Sequence, residues 1–289
     1  MKALIVTLAC SCLALVAAHP TYSESRITLY PEIIIQGEPL IITIENSKSA
    51  SSLKEIIFDK QTIKTFVYKS KLTAFIGIDL NAKIGEHSIT IHNTDGTVTE
   101  NKFVVHKRDK VEAPLGIPET LGGNSTSSQK KLTVSLSKEN DILSNLTSSQ
   151  KKLWDGSFIY PVAVPIVVDP YGYSRKTGKY SIAHKGTDFR AREGTKVFAM
   201  NRGVVRVAKK SPIYGNMVVI DHGLGLMTMY MHLSKINVKQ GTLVAKGKVI
   251  GLSGKTGYAL GPHLHLSIRL NSVSIDPIKF LDFFTASNL

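Results

Sequence analysis

The chain has 289 residues, 43% of them hydrophobic, and a formal net charge of +14. That length accommodates two ordinary domains, and that composition excludes a disordered chain. No apolar run after residue 20 is long enough to span a bilayer.

The first residues read as an export signal, residues 1–18. Lys2 is the only early charge, Ala3 to Ala18 is apolar or small, and Val16-Ala17-Ala18 fits a cleavage site before His19. The two cysteines, Cys10 and Cys12, both lie in this segment, so cleavage leaves a protein without thiols. An uncleaved signal anchor, or lipidation of one cysteine, would instead tie the chain to a membrane. The expected location is outside the cytoplasm, in the periplasm or cell envelope.

Residues 19–107 read as a small β-sandwich of immunoglobulin-like size. Leu40-Ile41-Ile42-Thr43-Ile44, Ala74-Phe75-Ile76-Gly77-Ile78 and Ser88-Ile89-Thr90-Ile91 are typical of its short β-branched and aromatic runs, and Gly37, Gly85 and Asn93-Thr94-Asp95-Gly96 mark turns. Residues 108–155 read as a linker broken by Pro114, Pro118 and Gly122-Gly123, with a helix expected over 137–154 and Ser137 as its cap. The string T-S-S-Q-K-K-L occurs twice here, at Thr126–Leu132 and at Thr147–Leu153. A linker of this length would let the sandwich fold back over a groove in the rest of the chain.

Residues 156–289 show short strands joined by turns, without an ordinary amphipathic helix between them. Gly203-Val204-Val205-Arg206-Val207, Met217-Val218-Val219-Ile220 and Leu264-His265-Leu266-Ser267-Ile268 are examples. This predicts an antiparallel sheet rather than a βαβ unit. The expected fold class is therefore all-β with a helical linker. This half holds 18 Lys/Arg against 6 Asp/Glu, whereas residues 1–155 hold 18 against 16. A basic domain attracts polyanions, and export makes an anionic cell wall the expected partner, not nucleic acid.

Three motifs in this half carry chemistry. His184-Lys185-Gly186-Thr187-Asp188 gives H-x-x-x-D, Tyr230-Met231-His232 gives Y-x-H, and Gly261-Pro262-His263-Leu264-His265 gives G-P-H-x-H. His263 and His265 share one face of a strand, roughly 6.5–7 Å apart, so one can bind an ion while the other touches its water. On a straight strand His184 and Asp188 would stand roughly 13 Å apart; Gly186 can bend the backbone between them. The residues thus support a ligand set of His184, Asp188 and one histidine of the pair. Nitrogen and carboxylate donors without a thiolate point to zinc. No H-E-x-x-H helix supplies a glutamate base, so the base must be histidine, with His232 and the remaining member of the pair available. His222, in Asp221-His222-Gly223, fits a turn and stays outside the site.

From Phe158 to Phe283 the chain resembles the lysostaphin/LytM-type zinc endopeptidases of bacterial cell walls. The resemblance runs through Tyr171-Gly172-Tyr173-Ser174-Arg175, His184-Lys185-Gly186-Thr187-Asp188-Phe189, Gly215-Asn216-Met217, Tyr230-Met231-His232-Leu233, Gly261-Pro262-His263-Leu264-His265 and Asp276-Pro277. It implies an antiparallel sheet with a groove between flanking loops. It also implies one zinc held by His184, Asp188 and His265, catalytic roles for His232 and His263, and positions near the groove for Arg175 and Asn216. Leu266 departs from it, since the family more often has an aromatic there. The expected function is an exported zinc metalloendopeptidase that hydrolyses peptide bonds in peptidoglycan. A non-catalytic regulator of other wall hydrolases and a wall-binding protein are the alternatives.

Overall fold

The computed structural model describes residues 26–45 and 53–285; the signal segment, with Cys10 and Cys12, lies outside the described residues. The first half is a β-sandwich. One sheet has the order Arg26–Tyr30, Pro39–Glu45, Lys71–Gly77, Thr65–Tyr68; the other has Ile34–Ile35, Val98–His106, Gly85–Asn93, Leu53–Phe58, Gln61–Ile63. Strand alternation gives the first sheet two apolar faces. Leu40, Ile42, Ile44, Leu72, Ala74 and Ile76 point into the sandwich core. Ile41, Phe66 and Phe75 point the other way, into the core of the second half.

That second core begins at an aromatic seam. Trp154, Phe158, Phe280, Phe283 and Phe284 are buried together with Phe66 and Phe75. The Phe66 and Trp154 rings meet edge to face with centroids 4.9 Å apart, and Phe75 stacks on Trp154 at 6.0 Å. Polar contacts flank the seam: Arg108 lies within ion-pair distance of both Glu38 and Asp276. The sandwich is therefore docked against the rest of the chain through the outer face of one sheet.

The linker differs from expectation. Glu112–Pro114 pairs in parallel with Ser174–Thr177, and helix α1 spans Thr126–Ser144, not 137–154. The cap is Ser125, whose Oγ accepts from the Ser128 N–H at 3.3 Å, and Ser137 lies inside the helix. Past Ser144 the backbone partners change. The Ser149 N–H donates to Asp221 and the Leu153 N–H to the His222 carbonyl, so the chain is bound to a strand end instead of continuing the helix.

The second half is the expected antiparallel sheet. Its order is Val167–Asp169, Thr187–Arg190, His263–Leu270, Leu226–Leu233, Gly215–Gly223, Gly203–Ser211, Leu243–Val244, with Val273–Ile275 also paired to His263–Leu270. A second helix, α2, spans Pro277–Thr285 and was not expected. Its signal is legible in hindsight: Pro277 is preorganised for a first helical turn, and Asp276 Oδ1 accepts from the Ile278 N–H at 3.0 Å. Phe280, Leu281, Phe283 and Phe284 are its buried face. His222, expected in a turn, sits in strand Gly215–Gly223 and is fully buried, with Nδ1 2.8 Å from the Arg202 carbonyl and Nε2 2.8 Å from Thr228 Oγ1.

Candidate metal centre

Three side chains from separated stretches of sequence converge on one face of this sheet. Asp188 and His265 are directly opposed in the antiparallel pair Thr187–Arg190 and His263–Leu270, the closest relation two strands offer. His184 follows strand Tyr180–Ala183, and its backbone bonds to Tyr173 and Gly172 hold it over the pair. His184 Nε2, Asp188 Oδ1 and His265 Nδ1 lie 2.8–3.2 Å from one another. Two imidazole nitrogens and a carboxylate oxygen in so small a triangle suit one tetrahedral zinc, with bonds of about 2.0–2.2 Å and a position left for water. Gly186 contributes in an unexpected way. It takes no left-handed turn; it leaves room for the His265 ring, which a side chain there would overlap.

The nitrogens that face the triangle are selected by the ones that face away. His184 Nδ1 lies 2.9 Å from the Pro170 carbonyl. A carbonyl only accepts, so that nitrogen carries the proton and Nε2 is left as a donor for a metal. The same rule fixes two more rings. His263 Nδ1 is 2.9 Å from the Gly261 carbonyl, and His232 Nδ1 is 2.8 Å from the Thr256 carbonyl. Each therefore turns its Nε2 toward the centre. His263 Nε2 comes to 3.7 Å from Asp188 Oδ2, and the His232 and His263 rings have centroids 4.8 Å apart.

A register shift aims His232. Between the pairs Asn216–Leu233 and Val218–Tyr230, Met231 and His232 stand opposite Met217 alone, as in a β-bulge. His232 takes φ 61°, unusual for a residue with a side chain, and its N–H donates to the Tyr214 carbonyl at 2.9 Å. Asn216 secures this arrangement from behind and does not line the groove as expected. Its side-chain amide donates to the Leu233 carbonyl at 3.0 Å, and its backbone N–H donates to Thr256 Oγ1 at 2.9 Å. Its side chain bears on His232 through the carbonyl of the adjacent Leu233.

Burial and mutual charge set the electrostatics. Burial opposes ionisation of Asp188, yet hydrogen bonds from His184 and His265 hold its carboxyl well below the ordinary range. Burial, with His263 and His265 close by, pushes His232 down to about 3, and burial likewise lowers His265. His232 and His265 are thereby favoured as neutral imidazoles, the form that binds metal and accepts protons.

The centre opens into a cavity of about 380 Å³. Pro114, Leu115, Gly116, Leu132, Leu136 and Asn140 wall it, so the linker and α1 border the groove, and none of its lining comes from residues 26–107. In this arrangement the sandwich does not lie over the groove: its apolar outer face is spent on the aromatic seam. Arg175 does line the cavity and is ion-paired to Asp169. Asp188 is the only carboxylate in a lining that also holds Arg175, Lys185 and Arg269.

Comparison with known proteins places these residues in context. A sequence family described as Peptidase family M23 matches residues 182–277. Peptidoglycan DD-endopeptidase ShyA of Vibrio cholerae is 47% identical over 96 residues, which are 33% of this chain and 22% of that protein. The chain thus spans about a fifth of the length of such curated relatives. The catalytic domain of the antimicrobial peptidase lysostaphin from Staphylococcus simulans is 36% identical, over 41% of this chain and 92% of that one, with a TM-score of 0.38. A peptidase M23 structure from Pseudomonas aeruginosa covers 88% of this chain and 96% of its own at 24% identity and a TM-score of 0.64; at that identity it speaks for the two-part fold alone.

Proposed function

This chain belongs to peptidase family M23, and from that membership we propose an exported zinc metalloendopeptidase that hydrolyses peptide bonds in peptidoglycan. The observation that carries the reading is the convergence of His184 Nε2, Asp188 Oδ1 and His265 Nδ1 beside the Nε2 atoms of His232 and His263. His184, Asp188 and His265 would hold the zinc. When bound, zinc polarises the scissile carbonyl and makes a neighbouring water more acidic.

The chain's own groups supply the rest. One of His232 and His263 accepts at Nε2 the proton of the water that attacks the carbonyl carbon; the imidazolium so formed faces the developing oxyanion and then passes that proton to the amine nitrogen as the C–N bond breaks. Their Nδ1–H groups keep donating to the Thr256 and Gly261 carbonyls, which fixes the tautomer through the cycle. The +12 surplus of residues 156–289 suits an anionic wall polymer.

Elemental analysis of the purified protein, followed by mass analysis of fragments from digested sacs, tests this reading. About one zinc per chain and newly freed peptide ends support it. A fully metallated protein that releases no fragment from sacs, whether their cross-links are direct or glycine-bridged, would overturn it.

A further inference from the structure

Strand His263–Leu270 carries more toward the groove than its histidines. Side chains alternate, so His263, His265, Ser267 and Arg269 share one face. Arg269 is 5% exposed, and it borders the same cavity as the metal centre. Three less buried arginines each have a carboxylate: Arg108 has Glu38 and Asp276, Arg175 has Asp169, and Arg206 has Asp221. Arg269 has none among the described residues. Its Nη1 donates to Ser144 Oγ at 2.9 Å and its Nη2 to Asn140 Oδ1 at 2.8 Å, both neutral groups of α1, and its Nε has no partner.

A buried cation with only neutral partners is costly, and guanidinium stays protonated in proteins. An arriving carboxylate relieves that cost, and its charge-assisted hydrogen bonds are about twice as strong as those to neutral acceptors. The distance suits a peptide. Arg269 is four residues beyond His265 on an extended strand, roughly 13 Å at about 3.3 Å per residue. An extended peptide with its scissile carbonyl at the histidines therefore brings a side-chain or terminal carboxylate a few residues away to the guanidinium.

We propose that Arg269 is a specificity-determining residue of the groove and reads a free carboxylate on the substrate peptide, away from the bond being cut. The proposal rests on the hydrolase reading above, since it assigns a subsite of that same groove. Amidation of that carboxylate should therefore weaken recognition.

The test uses the full chain and two cross-linked stem-peptide dimers that differ only in whether the diaminopimelate carboxylate is free or amidated. The wild type should favour the free carboxylate by about tenfold or more in kcat/KM, the scale of a hydrogen-bonded charge. In Arg269→Gln that ratio should fall to about one. Asn140→Asp keeps the arginine and places a carboxylate beside it, so it should also erase the preference while keeping or raising the melting temperature. An unchanged ratio in a folded Asn140→Asp protein, or equal rates for both dimers in the wild type, overturns the proposal. Calorimetric binding of the two dimers separates it from the hydrolase reading. If neither dimer is cut, a binding preference for the free carboxylate that Asn140→Asp erases upholds the carboxylate subsite and rejects the hydrolase; equal binding of the two dimers rejects both.

Discussion

Gly186 and His265 are in such close apposition that any side chain on the glycine would occupy the volume of the imidazole and press on the Leu266 carbonyl. The glycine stands between two residues of the metal triangle in sequence and beneath the third in space. Gly186→Ala should therefore displace the His265 ring without forcing a disallowed backbone, because Gly186 has no left-handed φ. Zinc affinity should fall by about 10–100-fold, the range seen when ligand orientation is lost. Competition with a zinc chelator measures it, and unaltered affinity would refute the steric argument.

Removing ligands and removing bases should separate. His184→Ala, Asp188→Ala and His265→Ala should each leave the purified protein with little zinc. His232→Ala and His263→Ala should keep it and lower hydrolysis by about 10²–10⁴-fold. Metal content and initial rates on the same preparations check both halves, and a zinc-depleted His232→Ala protein would reassign that residue.

Asn216 predicts a subtler phenotype. Its side-chain amide donates to the carbonyls of Leu233 and Ser234, the two residues that follow His232, whereas its bond to Thr256 comes from the backbone N–H and survives in alanine. Asn216→Ala should keep zinc and substrate affinity and lower kcat, because the proton acceptor is loosened while the binding groups stay. A change confined to KM would return Asn216 to substrate binding.

His222 makes stability depend on pH. Burial pushes its imidazole down to about 4, while in the unfolded chain it titrates near 6.5. Below about 6.5 the unfolded state takes up a proton that the folded state refuses, so the stability from this group is complete above 6.5 and is lost as pH falls toward 4. The loss is about 3 kcal/mol across that window. Urea unfolding at pH 7 and pH 4 should show a smaller acid penalty in His222→Gln than in the wild type. Equal penalties would show that other groups carry the acid sensitivity.

The aromatic seam should make the two halves fold as one unit. Trp154 is 1% exposed and touches both Phe66 and Phe75 of the sandwich. Trp154→Ala should cost about 3–5 kcal/mol, with both halves melting together in calorimetry. Two separate transitions in the wild type would contradict this. A chain beginning at residue 108 would expose the seam and should aggregate.

Much of the centre was legible in the order of residues because its chemistry is local in sequence. H-x-H on a strand puts two rings on one face by alternation alone, and exclusion of thiols narrows the metal. Strand runs such as Leu40 to Ile44 and Met217 to Ile220 announce themselves by β-branched and apolar content. What alternation does not tell is which partner each face meets. Ile41 and Leu40 read alike, yet one enters the seam with Trp154 and the other the sandwich core. His222 reads as a turn residue outside the site, yet it is a buried strut within a strand, and the bulge opposite Met217 is what aims His232 at the centre.

The repeated heptapeptide marks the boundary most sharply. Thr126–Leu132 forms the first turns of α1, capped by Ser125, with Leu132 buried against Ile117 and Ile213. Thr147–Leu153, with identical residues, is irregular. Its Ser148 hydroxyl and Ser149 N–H bind Asp221, and its Leu153 N–H binds the His222 carbonyl. By itself the sequence determined the donors, the strands and the sign of the charge, because those follow from residue chemistry and period. Only the tertiary structure decided which copy is helical and which walls the groove has. A segment of seven residues has too little intrinsic helical preference to resist hydrogen-bond partners offered by a strand end distant in sequence.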